Sequence, residues 1–158
     1  MSVSNNWLII VNPNAGNGNG RKDWPVIASY LSKYNLFYKV SFTLTRRHAI
    51  ELTQKGIAEG FRKLIAVGGD GTLNEVVNGI FTQNVCPTTD IELSMIMVGT
   101  GNDWGKMFGL PDSYEAAIRV IKKGNVRLQD AGIVKFYDGI KRVSRYFINI
   151  AGLGFDAV

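Results

Sequence analysis

A single cysteine, Cys86, leaves the chain no internal disulfide, which fits a reducing cytoplasm. Cys86 stands beside Pro87 with no metal-ligating neighbours and no helical setting that would activate a thiol. The longest apolar runs, residues 7–11 and 95–98, fall far short of the ~20 residues that cross a bilayer. Residues 1–6 offer no cationic segment leading into a long apolar run, so no secretory signal is expected. The formal charge is +5, but no basic stripe is interleaved with aromatics, and nucleic acid is not an expected partner. Two familiar phosphate motifs are missing as well. There is no G-x-x-x-x-G-K-[ST], and no G-x-G-x-x-G sits between a strand and a helix, which disfavours a standard P-loop enzyme or a dinucleotide oxidoreductase. What the chain has in excess is glycine: 18 of 158 residues, against an average near 7%.

The glycines fall in a pattern. Residues 7–11, Trp-Leu-Ile-Ile-Val, are a continuous apolar run suited to a strand buried on both faces, and 12–20 are loop chemistry throughout. A helix is expected over 21–34, with Pro25 tolerable only in its first turn. A β-rich segment at 37–43, a helix at 46–60 and a buried strand at 64–67 follow. Leu73, Val76, Val77 and Ile80 then space out the inner face of a helix. Residues 95–98 give a fourth strand, 104–108 a short helical turn, and Asp112 with Glu115 reads as the N-terminal capping box of a further helix ending at Gly124. Residues 1–124 therefore predict an α/β domain, a mainly parallel sheet with helices on both faces. Residues 125–158 change grammar: 126–136 and 141–152 read as an antiparallel hairpin about Tyr137-Asp138-Gly139, the start of a second, β-rich domain that looks truncated.

Three loops, at 12–20, 68–71 and 99–103, each follow a buried strand and precede a helical stretch. Parallel strands would gather all three at one carboxyl edge, where open α/β sheets bind ligands. Glycine permits close backbone approach to a phosphate, and the following helix aims unpaired N–H groups at it. Asp70, an acidic residue between glycines, has no evident structural role, while Asn102-Asp103 has the alternative reading of a helix cap. Both carboxylates suit a magnesium ion or its waters. Thr72 and Glu75 fit a local capping box, and His48, beside Arg46 and Arg47, fits a solvated or capping histidine. The cations Lys135, Lys141, Arg142 and Arg145 suit a solvated hairpin or an anionic membrane.

Gly68-Gly69-Asp70-Gly71-Thr72-Leu73-Asn74-Glu75-Val76 resembles the signature of the diacylglycerol kinase catalytic domain family, which groups diacylglycerol, sphingosine and ceramide kinases with bacterial lipid kinases. Asn12-Pro13-Asn14-Ala15-Gly16, Thr43 with His48-Ala49, Gly99-Thr100-Gly101-Asn102-Asp103 and the tail at 147–157 resemble its other landmarks in order. Met97, where a proline is common, and Trp104-Gly105-Lys106 depart from its pattern and leave the acceptor open.

The resemblance implies an ATP-dependent lipid kinase, with diacylglycerol the leading acceptor. It makes Asn12, Thr43, Gly68, Gly69, Asp70, Gly71, Thr72, Asn74, Glu75, Gly99, Thr100 and Asn102 nucleotide contacts, and Asp70 and Asp103 the catalytic carboxylates that organise magnesium. It also implies a general base, a glutamate of the β-rich domain, beyond residue 158, so this chain by itself is expected to be inactive. The whole protein would work in the cytoplasm, peripherally at the inner face of the membrane, and the uncovered hairpin would favour self-association. An NAD kinase-like enzyme and a non-catalytic nucleotide-binding module are the alternatives.

Overall fold

The computed structural model describes residues 3–137 and 139–149. Four strands, β1 (Ser4–Val11), β2 (Tyr38–Phe42), β3 (Phe61–Gly68) and β4 (Glu92–Met97), form one sheet in the order β2-β1-β3-β4. Every neighbouring pair is parallel. The helices are α1 (Ala15–Lys33, broken by non-helical backbone at Gly16, Asn17 and Gly18), α2 (His48–Ala58), α3 (Asp70–Thr82), α4 (Asp103–Met107) and α5 (Tyr114–Lys123). Strand side chains alternate between two cores, as the period of two demands. Leu8, Ile10, Leu64, Ala66 and Met95 pack with Ile57, Leu73 and Val76 of α2 and α3. Ile9, Val11, Ile65, Val67 and Ile96 pack with Ile27, Leu31 and Ile118 of α1 and α5. The expected α/β sheet with both faces covered is what forms.

Some local expectations need correction. Pro25 lies inside α1, beyond the first turn even when the helix is counted from the non-helical residues 16–18; it offers the Arg21 carbonyl no N–H, and both residues are exposed to solvent. Asp112 is not the cap of α5. Ser113 holds that position without a side-chain bond, and Glu115 reaches across to Nζ of Lys33, the last residue of α1, and to Oη of Tyr34, which caps that helix, both at 2.7 Å. Those two partners hold its carboxyl below the usual range. The expected strand at 126–136 begins only at β5 (Gly132–Tyr137), which pairs antiparallel with β6 (Arg142–Phe147). Ahead of it, Arg127 stacks 4.0 Å over the Phe108 ring, and Gln129 accepts from Trp104 Nε1 at 3.0 Å, which draws 126–131 onto α4 instead of into a ladder. Asp138 and the tail from residue 150 onward lie outside the described residues.

Helices α2 and α3 cross at Gly79. A Cβ built there meets Thr53 Cβ at 2.5 Å and the Ile50 carbonyl oxygen at 2.9 Å. Gly79→Ala is therefore expected to destabilise the fold by about 2 kcal/mol through overpacking, read as a lowered denaturation midpoint with unchanged slope.

Candidate functional site

Because β2 is parallel too, four loops, not three, end at the same edge of the sheet. They surround an open cleft of about 1370 Å³ lined by Asn12, Thr43, Gly69, Asp70, Gly71, Thr72, Glu75, Gly99, Thr100 and Asn102. The cleft lies beyond β1 and β3, where the strand order reverses, the switch point at which doubly wound sheets bind ligands. Of the expected site residues, Gly68, Asn74 and Asp103 do not line it.

Helix α3 ties the loops together. Its Thr72 Oγ1 accepts from Asn12 Nδ2 at 3.1 Å, which secures the first loop. Its Asp70 carboxylate accepts the backbone N–H of Asp103 at 2.9 Å and of Trp104 at 3.2 Å, which secures the third. Asp70 thus has a structural role that its setting among glycines conceals: it caps α4 from another helix. Asp103 takes part through its amide, and its exposed carboxylate stays off the cleft wall. Glu75 is no local capping partner of Thr72, which lies inside α3. It accepts instead from the amides of Arg47 at 2.8 Å and Ala49 at 3.3 Å, at the start of α2. Asn74 and Asn78 face the hairpin. Asn78 is 2% exposed; its Nδ2 donates to the Tyr146 carbonyl at 2.9 Å, and its Oδ1 accepts the Tyr146 N–H at 3.0 Å.

The first and third loops touch through two glycines in left-handed conformation, Gly16 (φ 59°) and Gly99 (φ 112°); a Cβ on Gly16 would stand 3.1 Å from Gly99 Cα. Asn102 is also left-handed (φ 60°) and 4% exposed. Its Nδ2 donates to the Gly99 carbonyl at 2.9 Å, while its Oδ1 is buried with no partner. That leaves one acceptor unsatisfied on a residue that lines the cleft, where a donor would be favourable.

Sequence reasoning passed over Arg46 and Lys106, two cations lining the cleft. Lys106 Nζ donates to the Thr100 carbonyl at 3.2 Å. The signal for Arg46 was the parallel β2, whose loop must share the edge although it holds no glycine. Tyr114 also lines the cleft; burial and a 2.7 Å bond to Asp23 push its hydroxyl up to about 12. The folded state keeps this proton after the unfolded chain has lost its own near pH 10. Stability is therefore expected to fall as pH rises from about 10 towards 12, and the fall should be shallower in Tyr114→Phe by denaturant titration.

The architecture is a doubly wound α/β domain with an open, largely polar cleft at its switch point. The chain belongs to the diacylglycerol kinase catalytic domain family, whose model matches residues 6–134. It is 35% identical over 146 residues to a diacylglycerol kinase of Staphylococcus saprophyticus, covering 92% of this chain and 44% of that protein. A diacylglycerol kinase of Staphylococcus aureus is 35% identical over 148 residues, covering 92% of this chain and 42% of its own length. A diacylglycerol kinase crystal structure from Bacillus anthracis superposes with a TM-score of 0.72 at 27% identity, over 91% of this chain and 46% of that one. The chain thus spans about half the length of the relatives it matches.

Proposed function

We propose that the whole protein is a kinase that moves the γ-phosphoryl group of ATP to a lipid hydroxyl, with diacylglycerol the leading acceptor, and that this chain is its nucleotide-binding part. The observation that carries the reading is the first turn of α3, with Gly71 exposed at the cleft and nothing of the protein within 4 Å of the position its Cβ would occupy. The Thr72 and Leu73 N–H groups bond to the Gly69 carbonyl, which leaves the Asp70 and Gly71 amides at the helix start, open to close approach, as the anion cradle. Arg46 and Lys106 add positive charge, and Asn12, Thr43, Thr100 and Asn102 supply further polar contacts along the cleft. In phosphoryl transfer the protein's share is chiefly positioning and charge neutralisation.

Magnesium fits this set in a limited way. Among the described residues no three His, Cys, Asp or Glu side chains gather as a metal cage. Magnesium commonly keeps several waters and binds through one or two carboxylates plus substrate phosphates. Asp70, at the cleft with one lone pair per oxygen left over from its two amide bonds, is the carboxylate suited to that role; the ion would neutralise phosphate charge. Residues 125–158 are proposed as the start of a second, β-rich domain that supplies a general base and the other wall. Among the described residues no helix is long and apolar enough to cross a membrane, so the enzyme is proposed to act peripherally at the membrane surface.

The test is transfer of radiolabelled phosphate from ATP by the extended chain, offered diacylglycerol, sphingosine or ceramide in micelles, or NAD in solution. Lipid labelling is the expected result. Labelling of NAD alone, or ATP binding without transfer to any acceptor, overturns it.

A further inference from the structure

We infer that Glu75 is a positioning residue: its carboxylate, held against the start of α2, sets the Arg46 loop in place for the polyphosphate of a bound nucleotide. The inference rests on the proposed nucleotide reading, but the contacts behind it do not. The loop between β2 and α2 contains no glycine, yet Arg47 adopts a left-handed backbone with φ 67°. A non-glycine residue in that region costs about 1 kcal/mol or more and persists only where its surroundings enforce it.

Four hydrogen bonds do the enforcing. Arg47 N–H donates to Glu75 Oε1 at 2.8 Å and Ala49 N–H to Glu75 Oε2 at 3.3 Å. Leu44 N–H donates to His48 Nδ1 at 3.0 Å, and His48 N–H to the Thr45 carbonyl at 3.3 Å. The cap position of α2 is occupied by Arg47 and has no side-chain bond of its own. An arginine has no oxygen to offer the first amides of a helix. Glu75 supplies that oxygen from α3, with negative charge at the positive end of α2.

The geometry serves the cleft. Thr43, Leu44, Thr45 and Arg46 line it, and among the described residues Arg46 enters no ion pair. Helix α3 presents its first turn, Asp70 to Thr72, to the cleft and carries Glu75 one turn further on. The anion cradle and the guanidinium loop are thus held at a fixed separation by one helix. An unlocked loop would have to be ordered on binding, and the nucleotide would bear that entropy.

Trypsin reads the lock directly, because Arg46 and Arg47 are both exposed. In the full chain, Glu75→Ala is expected to speed cleavage after these two residues about tenfold, in line with local opening becoming easier, with other sites unchanged. Glu75→Gln, which keeps one acceptor, should fall between and serves if the alanine variant folds poorly. Calorimetric titration with ATP, and separately with inorganic tripolyphosphate, should show a five- to tenfold weaker Kd (about 1 to 1.4 kcal/mol) for either Glu75 variant. Arg46→Gln should weaken both ligands similarly, and adding Glu75→Gln to it should cost little more, the non-additivity of residues acting as one unit. Unchanged cleavage after Arg46 and Arg47 overturns the lock. Faster cleavage with unchanged affinity, or fully additive losses, overturns the positioning role. A wild-type chain that binds neither ATP nor tripolyphosphate overturns the nucleotide reading, while the cleavage comparison still decides the lock.

Discussion

Asp70→Asn is expected to lower phosphoryl transfer by the extended chain by at least about a hundredfold, the scale set when one preorganised electrostatic group is removed from a transfer site. The carboxylate accepts two amides at the start of α4. An asparagine offers one oxygen and one NH₂, so one of those amides would face a donor. The loss of a cap costs about 1 kcal/mol, a modest fall in melting temperature, and it loosens the third loop with Thr100 and Asn102. Two contributions are therefore expected, and they separate by titrating ATP with and without magnesium. A deficit of equal size in both titrations means that Asp70 acts through α4 alone. A larger deficit with magnesium means that its charge also serves the ion. Wild-type turnover in the mutant removes Asp70 from the site.

The sheet was legible because a parallel sheet covered on both faces needs continuous apolar runs. The segments 7–11, 64–67 and 95–98 announce themselves in that way, and the loops after them carry glycine. Leu73, Val76, Val77 and Ile80 were equally plain, since their spacing has the period of a helix; all four are buried. The ties between loops were not legible, and the reason is physical. A carboxylate near a helix start looks the same in sequence whether it caps its own helix or another. Thr72 with Glu75, and Asp112 with Glu115, read as local boxes, yet both glutamates bond to neighbouring helices. Capping in trans depends on which helix starts converge, and that is fixed by packing. Asn78 carried a usable signal. A polar residue between Val77 and Gly79 on the inner side of a helix must find a buried partner, and Tyr146 is that partner.

Gly71→Val is expected to separate ligand binding from folding. The position is exposed and its φ is not left-handed, and a Cβ there meets nothing within 4 Å. A Cβ meets no obstacle in the free protein, and replacing a helical glycine recovers some of the backbone entropy it costs, a few tenths of a kcal/mol for valine. The melting temperature should hold or rise. If the amides at the start of α3 close on a phosphate, the isopropyl group stands in the path of the anion, and ATP affinity should fall about a hundredfold, or about 2.7 kcal/mol. Gly79, eight residues along the same helix, is the internal control: its substitution is expected to cost stability and leave affinity per folded molecule alone, because its missing Cβ faces α2 and not the cleft. Calorimetric titration of ATP into both variants, with thermal unfolding beside it, gives the comparison. Affinity unchanged in Gly71→Val would mean that no phosphate approaches the first turn of α3, and the anion cradle would have to be sought at the glycines of another loop.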